Sequence, residues 1–116
     1  MKIQGIVIRG QQLGRKLGFP TANIDAEGLQ IANGVYASTV EINEHLYRAM
    51  SNVGIRPSVD GKRRLLETYI FDFDGDLYGT CLEVELGAKI RDEQKFASVD
   101  ELKERLYIDA EYIRNL

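Results

Sequence analysis

Excess positive charge, tryptophan, paired cysteines and long apolar runs are all missing from this 116-residue chain. Each absence removes a class of protein. A formal charge of −3, from 15 basic and 18 acidic side chains, offers no broad attraction for nucleic acid or anionic lipid, so any phosphate site has to be local. The one cysteine, Cys81, cannot close an internal disulfide, and no apolar run approaches the length of a membrane span or a secretory leader. A reducing, cytoplasmic compartment is the expectation. The single histidine, His45, sits at the start of an expected hairpin leg with no base, nucleophile or metal partner, and is assigned no chemistry.

What is present is a chain that is 44% apolar, enough for one domain over residues 1–116 with a core that folds alone, and too short for a second. A monomer is expected. Most of the chain reads as strands. Ile3 to Arg9 alternate imperfectly, Val35 to Ile42 form a β-branched run, and His45 to Val53 read as its return leg across Asn43-Glu44. Leu65 to Phe73 is a further strand. Tyr78, Thr80, Leu82, Val84 and Leu86 alternate with Gly79, Cys81, Glu83 and Glu85, one side in and one side out, and Asp74-Gly75 before them is a hairpin signal. Strands at this spacing predict a small antiparallel barrel. The period then changes: Ser98-Val99-Asp100-Glu101 has capping-box form, and Val99, Leu102, Leu106, Ala110 and Ile113 predict an amphipathic helix over Val99–Arg114 packed on the barrel.

Two features carry chemistry. The first is Gly10 to Asn23, GQQLGRKLGFPTAN, ending in Pro20-Thr21-Ala22-Asn23. Pro20 fixes its own φ and biases Phe19 away from helix, so the segment should run extended, with the Thr21 hydroxyl and the Asn23 amide on one face toward a small cation or a phosphate. Glycines at 5, 10, 14 and 18, with Arg15 and Lys16, suit a backbone that approaches an anion. The same residues also fit tight turns and a self-satisfied Asx- or ST-turn. A P-loop is excluded, because the Gly10 to Gly14 spacing is one residue short and Leu17 stands where a hydroxyl belongs. The second feature is Glu67. It shares the odd-numbered face of its strand with Leu65, Tyr69, Phe71 and Phe73, and a carboxylate there loses stability unless a partner or a task compensates. A rim position, a bulge, or an ion pair with Arg48, Arg63 or Arg64 would explain it structurally; a general base would explain it functionally.

Other segments read more plainly. Asp72-Phe73-Asp74-Gly75-Asp76 imitates a calcium loop poorly, since Leu77 stands where the bend needs glycine. Lys62-Arg63-Arg64 follows the turn Val59-Asp60-Gly61 and reads as a solvated hairpin end. Asn52 and Arg56 either shape the mouth of a site or belong to a structural turn at Arg56-Pro57. Arg91, Gln94 and Phe96 precede the helix and offer an aromatic wall with hydrogen-bond donors, but on the residues alone Phe96 reads as a hydrophobic staple and Arg91 and Glu93 as solvated charges.

The blocks LGFPTANI, GVYA at Gly34 to Ala37, NVGIRPSV at Asn52 to Val59, LLETYIFDF at Leu65 to Phe73, DLYG at Asp76 to Gly79 and IRDEQKF at Ile90 to Phe96 resemble, in order, the riboflavin kinase family. The resemblance implies a mainly β fold, a six-stranded antiparallel Greek-key barrel with a C-terminal helix. It implies transfer of the ATP γ-phosphate to riboflavin, giving FMN and ADP. Residue by residue, it assigns catalysis to Glu67, ATP phosphate contacts to Gly10 and Arg15, and both ATP and Mg²⁺ to Thr21 and Asn23. The Ile70 backbone, Asp72 and Tyr78 would surround the adenine nucleotide, and Arg91, Gln94 and Phe96 would grip the flavin. The sequence departs from the family where Gln11 and Gln12 replace a small residue and where Gln94 replaces the lysine of some relatives. A flavin- or nucleotide-binding regulatory module without turnover is the competing expectation; nucleic-acid and membrane partners are not expected. Many bacterial relatives carry this domain behind an adenylyltransferase, so an independent kinase and a domain of a longer enzyme are both compatible with the chain.

Overall fold

The computed structural model describes residues 1–9, 20–58 and 61–116. Six strands, β1 (Lys2–Ile6), β2 (Thr21–Asp25), β3 (Gly34–Ile42), β4 (His45–Ser58), β5 (Gly61–Ile70) and β6 (Cys81–Arg91), precede one helix, α1 (Val99–Arg114). They form a single antiparallel sheet in the order β1-β6-β3-β4-β5-β2. A bridge between Ile8 and Asn23, with Ile8 N–H donating to the Asn23 carbonyl at 2.8 Å, brings the two edges together into a nearly closed barrel. Closure depends on Gly5: a Cβ there would fall 2.5 Å from Ile24 Cγ2, so any larger residue pushes β1 off β2.

The strand pattern has two faces and both are used. Ile3, Ala22, Ile24, Val40, Val53, Leu66, Ile70, Leu82, Val84 and Leu86 fill the barrel interior. Within it a hydroxyl ladder crosses three strands, Ser51 Oγ donating to Ser38 Oγ at 2.8 Å and lying 2.8 Å from Thr68 Oγ1, so the buried hydroxyls are satisfied. On the outer face Val35, Met50, Tyr69 and Phe71 form a second core with Leu106, Ala110 and Ile113 of α1. Ser98 caps the helix by accepting from Glu101 N–H at 3.2 Å, and Ala97 N–H donates to Glu101 Oε2 at 3.0 Å. The expected helix is therefore present over its whole predicted span, although Val99 is exposed rather than part of the buried stripe.

Several expectations change. Asn43 and Glu44, with φ of 51° and 69°, make the primed turn of the β3–β4 hairpin, and β4 runs on past Val53 to Ser58. The strand from Leu65 ends at Ile70, and Asp74-Gly75 is no hairpin: β5 pairs with β4 and β2, whereas β6 pairs with β1 and β3. Residues 71–80 instead cross one end of the barrel. The basic run is not simply solvated either. Arg63 pairs with Asp25 at 3.0 Å, and Arg64 donates to the carbonyls of Ala26 (3.1 Å) and Leu29 (2.7 Å) and to Asn33 Oδ1 (2.9 Å), fastening the 26–33 connection to β5.

Candidate active site

The antiparallel register builds a row of three polar side chains. Asn23 of β2 and Asn52 of β4 are the cross-strand partners of Glu67 on either side of β5, and directly opposed residues in such a sheet share a face. That face is the outer one, because Ala22, Ile24, Leu66 and Val53 point into the barrel. Thr21 lies opposite Tyr69 in the next row, so Thr21 and Asn23 stand on the same side of the sheet as Glu67, about one strand spacing away. The Asn23 side chain is buried, and its Oδ1 and that of Asn52 have no hydrogen-bond partner among the described residues. Orphaned buried acceptors are rare in folded proteins, which makes these two oxygens candidate binding groups.

Glu67 is itself held. Arg56 Nε donates to Glu67 Oε1 at 2.5 Å, while the same guanidinium donates to Glu93 Oε1 at 3.1 Å and Glu93 Oε2 at 3.3 Å. With side chains only 12% and 21% exposed, the Glu67–Arg56 pair is shielded enough from water to matter. Burial works against the Arg56 charge, but the bond to Glu93, the charges of Glu67 and Glu93 and the bond to Glu67 overcome it and hold the guanidinium above its ordinary range. None of the three partners considered from the sequence is used: Arg48, Arg63 and Arg64 all bond elsewhere. Gly54 completes the arrangement, since a Cβ there would meet the Glu93 carboxyl at 2.5 Å. Asn52, Gly54 and Arg56 recur at every second residue on the face of β4 beside Glu67, a period-two signal in NVGIRP that could have identified this cluster.

Next to the row lies a cleft of about 250 Å³ lined by Asn52, Ile55, Arg56, Glu67, Tyr69, Arg91, Glu93, Gln94, Lys95, Phe96, Leu102 and Leu106. It brings Glu67 together with Arg91, Gln94 and Phe96. Arg91 and Glu93 are not solvated charges. Arg91 makes a two-point contact with the buried Asp109 of α1, Nε at 2.9 Å and Nη2 at 2.8 Å, and its guanidinium lies 6.0 Å from the Phe96 ring centre. Arg91 thus braces the loop on the helix, and Phe96 and Leu106 supply the cleft's apolar wall. Asp109, invisible as a site residue in the sequence, is what holds Arg91.

The remaining candidates sit at the barrel end where β5 finishes. Ile70 N–H donates to the Pro20 carbonyl at 3.0 Å, placing Ile70 beside the entry to Thr21. Asp72 is exposed and accepts from Arg114 at 3.2 Å; Tyr78 is half exposed, with the Arg9 guanidinium 4.2 Å from its ring centre. Gly10 and Arg15 lie outside the described residues. No group of three or more acidic, histidine or cysteine side chains that could hold a metal occurs among the described residues.

A nearly closed antiparallel barrel thus carries a clamped carboxylate on its outer face, with Thr21 and Asn23 to one side and an aromatic-walled cleft to the other. Comparison with known proteins gives the family. The Flavokinase family model, described as riboflavin kinase, matches residues 1–116, and the chain belongs to that family. It is 41% identical over 108 residues to the RNA-binding riboflavin kinase RibR of Bacillus subtilis, covering 92% of this chain and 47% of that protein. It is 43% identical over 112 residues to the bifunctional riboflavin kinase/FMN adenylyltransferase of Haemophilus influenzae, covering 95% of this chain and 36% of the relative. Among solved structures, one described as a macrolide-efflux protein from Streptococcus pneumoniae superposes with a TM-score of 0.82 at 41% identity, over 99% of this chain and 38% of that one. The chain therefore spans less than half the length of each. No helix among the described residues is long and apolar enough to cross a membrane.

Proposed function

We propose that the chain is a riboflavin kinase domain over residues 1–116, transferring the γ-phosphoryl group of ATP to the 5′-hydroxyl of riboflavin to give FMN and ADP. The observation that supports this reading is the Asn23–Glu67 pairing beside the aromatic-walled cleft: Asn23 and the Glu67 carboxylate stand one strand apart, with the cleft next to Glu67, as a phosphate-side ligand and a base beside a flavin site would require. In the reaction the riboflavin oxygen forms a bond to the γ-phosphorus, the bond to the bridging oxygen breaks to release ADP, and Glu67 takes the hydroxyl proton. Thr21 and Asn23 hold the phosphates, with Gly10 and Arg15 contributing from the glycine-rich segment and Ile70, Asp72 and Tyr78 facing the adenine nucleotide. Phe96, Gln94 and Arg91 bound the flavin.

The donor set fits Mg²⁺. The Asn23 Oδ1 is buried and has no partner among the described residues, and Thr21 precedes it by two positions along the strand, but two neutral oxygens hold the ion only together with phosphates. Bound with the nucleotide, Mg²⁺ supplies charge neutralisation at the phosphates. We further take the domain to act as a cytoplasmic monomer, without the nucleic-acid or membrane partners that a charge of −3 does not attract. A binding module without turnover is less well supported, because the family that the chain belongs to is described as riboflavin kinase.

The test is ADP release from ATP with the flavin product identified. ADP should form only with riboflavin present, in step with FMN, and should stop in EDTA. ATP hydrolysis without FMN, or flavin binding with no ADP, would overturn the proposal.

A further inference from the structure

Apart from Asn23, given above to the phosphate side, the cluster at Glu67 leaves one buried polar atom without a partner among the described residues. Glu67, Arg56 and Glu93 satisfy one another, and Arg91 is taken by Asp109. Asn52 is different: it lines the cleft, stands directly across from Glu67, and keeps a buried Oδ1 with no partner among the described residues. A buried acceptor without a donor destabilises the fold, so retaining it calls for a ligand that brings the donor. The site also gives that ligand a direction. Asn23, Glu67 and Asn52 follow one another across β2, β5 and β4, so with the phosphates on the Asn23 side and the reacting hydroxyl at Glu67, the substrate continues toward Asn52. One strand spacing, about 4.8 Å, separates adjacent strands of the row, within the span of a short polyhydroxylated chain. The apolar wall of Phe96 and Leu106 lies in the same cleft and suits the ring beyond it.

We infer that Asn52 is a specificity-determining residue that reads the hydroxylated side chain of the flavin, accepting a ribityl hydroxyl on Oδ1 and donating from Nδ2. This deepens the riboflavin kinase reading and rests on it for the identity of the substrate. A site built to bond a hydroxyl discriminates strongly against an analogue that lacks it, because the buried amide is then left unpaired.

The experiment is a fluorescence titration of the nucleotide-loaded chain with riboflavin and with lumiflavin, which has the same ring and a methyl group in place of the ribityl chain. It is repeated for Asn52→Val and Asn52→Ser, with thermal unfolding of each. The wild-type chain should favour riboflavin over lumiflavin; Asn52→Val should weaken riboflavin binding about tenfold, leave lumiflavin binding within about twofold, and keep or raise the melting temperature. Asn52→Ser, which retains a hydroxyl, should recover part of the preference even if the valine variant folds poorly. An unchanged riboflavin-to-lumiflavin ratio in both variants would overturn the inference. Absence of ADP release with that preference intact would overturn the kinase reading while leaving the role of Asn52 standing; binding of neither flavin would sink both.

Discussion

Glu67 is held by a single guanidinium that also serves Glu93, so the carboxylate is fixed in direction without being neutralised by a lone partner. A base in phosphoryl transfer contributes by orienting the hydroxyl and accepting its proton, while most of the rate comes from positioning and charge. Glu67→Gln separates these. The glutamine oxygen can still accept from Arg56, and Arg56 keeps Glu93, so fold and substrate binding should survive. Turnover should fall by about 10²–10⁴ with both KM values changed only a few-fold, read by ADP release and FMN formation. Undiminished kcat in that variant would remove Glu67 as the base.

At the level of elements, α1 is docked by more than its apolar stripe. Arg48 of β4 donates to the last helix carbonyls, Nη2 to Ile113 at 2.7 Å and Nη1 to Arg114 at 2.8 Å, so a cation from the sheet caps the negative end of the helix dipole. Because Arg48 is exposed, its bonds contribute less than the usual range of about 1.5–3 kcal/mol for charge-assisted bonds. Arg48→Met should cost about 1 kcal/mol of stability and lower the melting temperature by several degrees, with Arg48→Lys recovering part; hydrogen exchange should rise first in the last turn of α1. An unchanged melting temperature would show that the stripe alone holds the helix. The same element shows what sequence carries. Its cap and its three- and four-residue spacing are local, so Val99–Arg114 was legible from end to end. The partners of Arg48, Arg64 and Arg56 lie across the sheet and leave no local trace, and Asp74-Gly75 misled because turn chemistry says nothing about which strands pair.

For the whole molecule, fold and site meet on the outer face of β4 and β5, where Tyr69 belongs both to the core under the helix and to the cleft beside Glu67. Glu67 and the loop at Phe96 were legible as separate blocks; that the sheet register would align Asn23, Glu67 and Asn52 was not, because it depends on pairings between strands distant in sequence. Tyr69 also ties stability to pH. Burial, reinforced by the Glu67 charge and opposed by Arg56, holds its hydroxyl above the ordinary tyrosine value of about 10. The unfolded chain releases that proton near pH 10 and the folded chain only at higher pH, so between the two the unfolded state binds fewer protons. Stability is then complete below about pH 10 and declines as pH rises through that window, by up to about 1.4 kcal/mol per pH unit from this residue. Comparison with Tyr69→Phe isolates the effect from the lysines that titrate in the same range. Urea unfolding from about pH 8 to about pH 11 should show a constant stability difference between the two proteins at first, then a shift in favour of the phenylalanine variant above about pH 10. A constant difference across the whole range would mean that Tyr69 ionises alike in the folded and unfolded chain, and that the junction between barrel and helix is open to water.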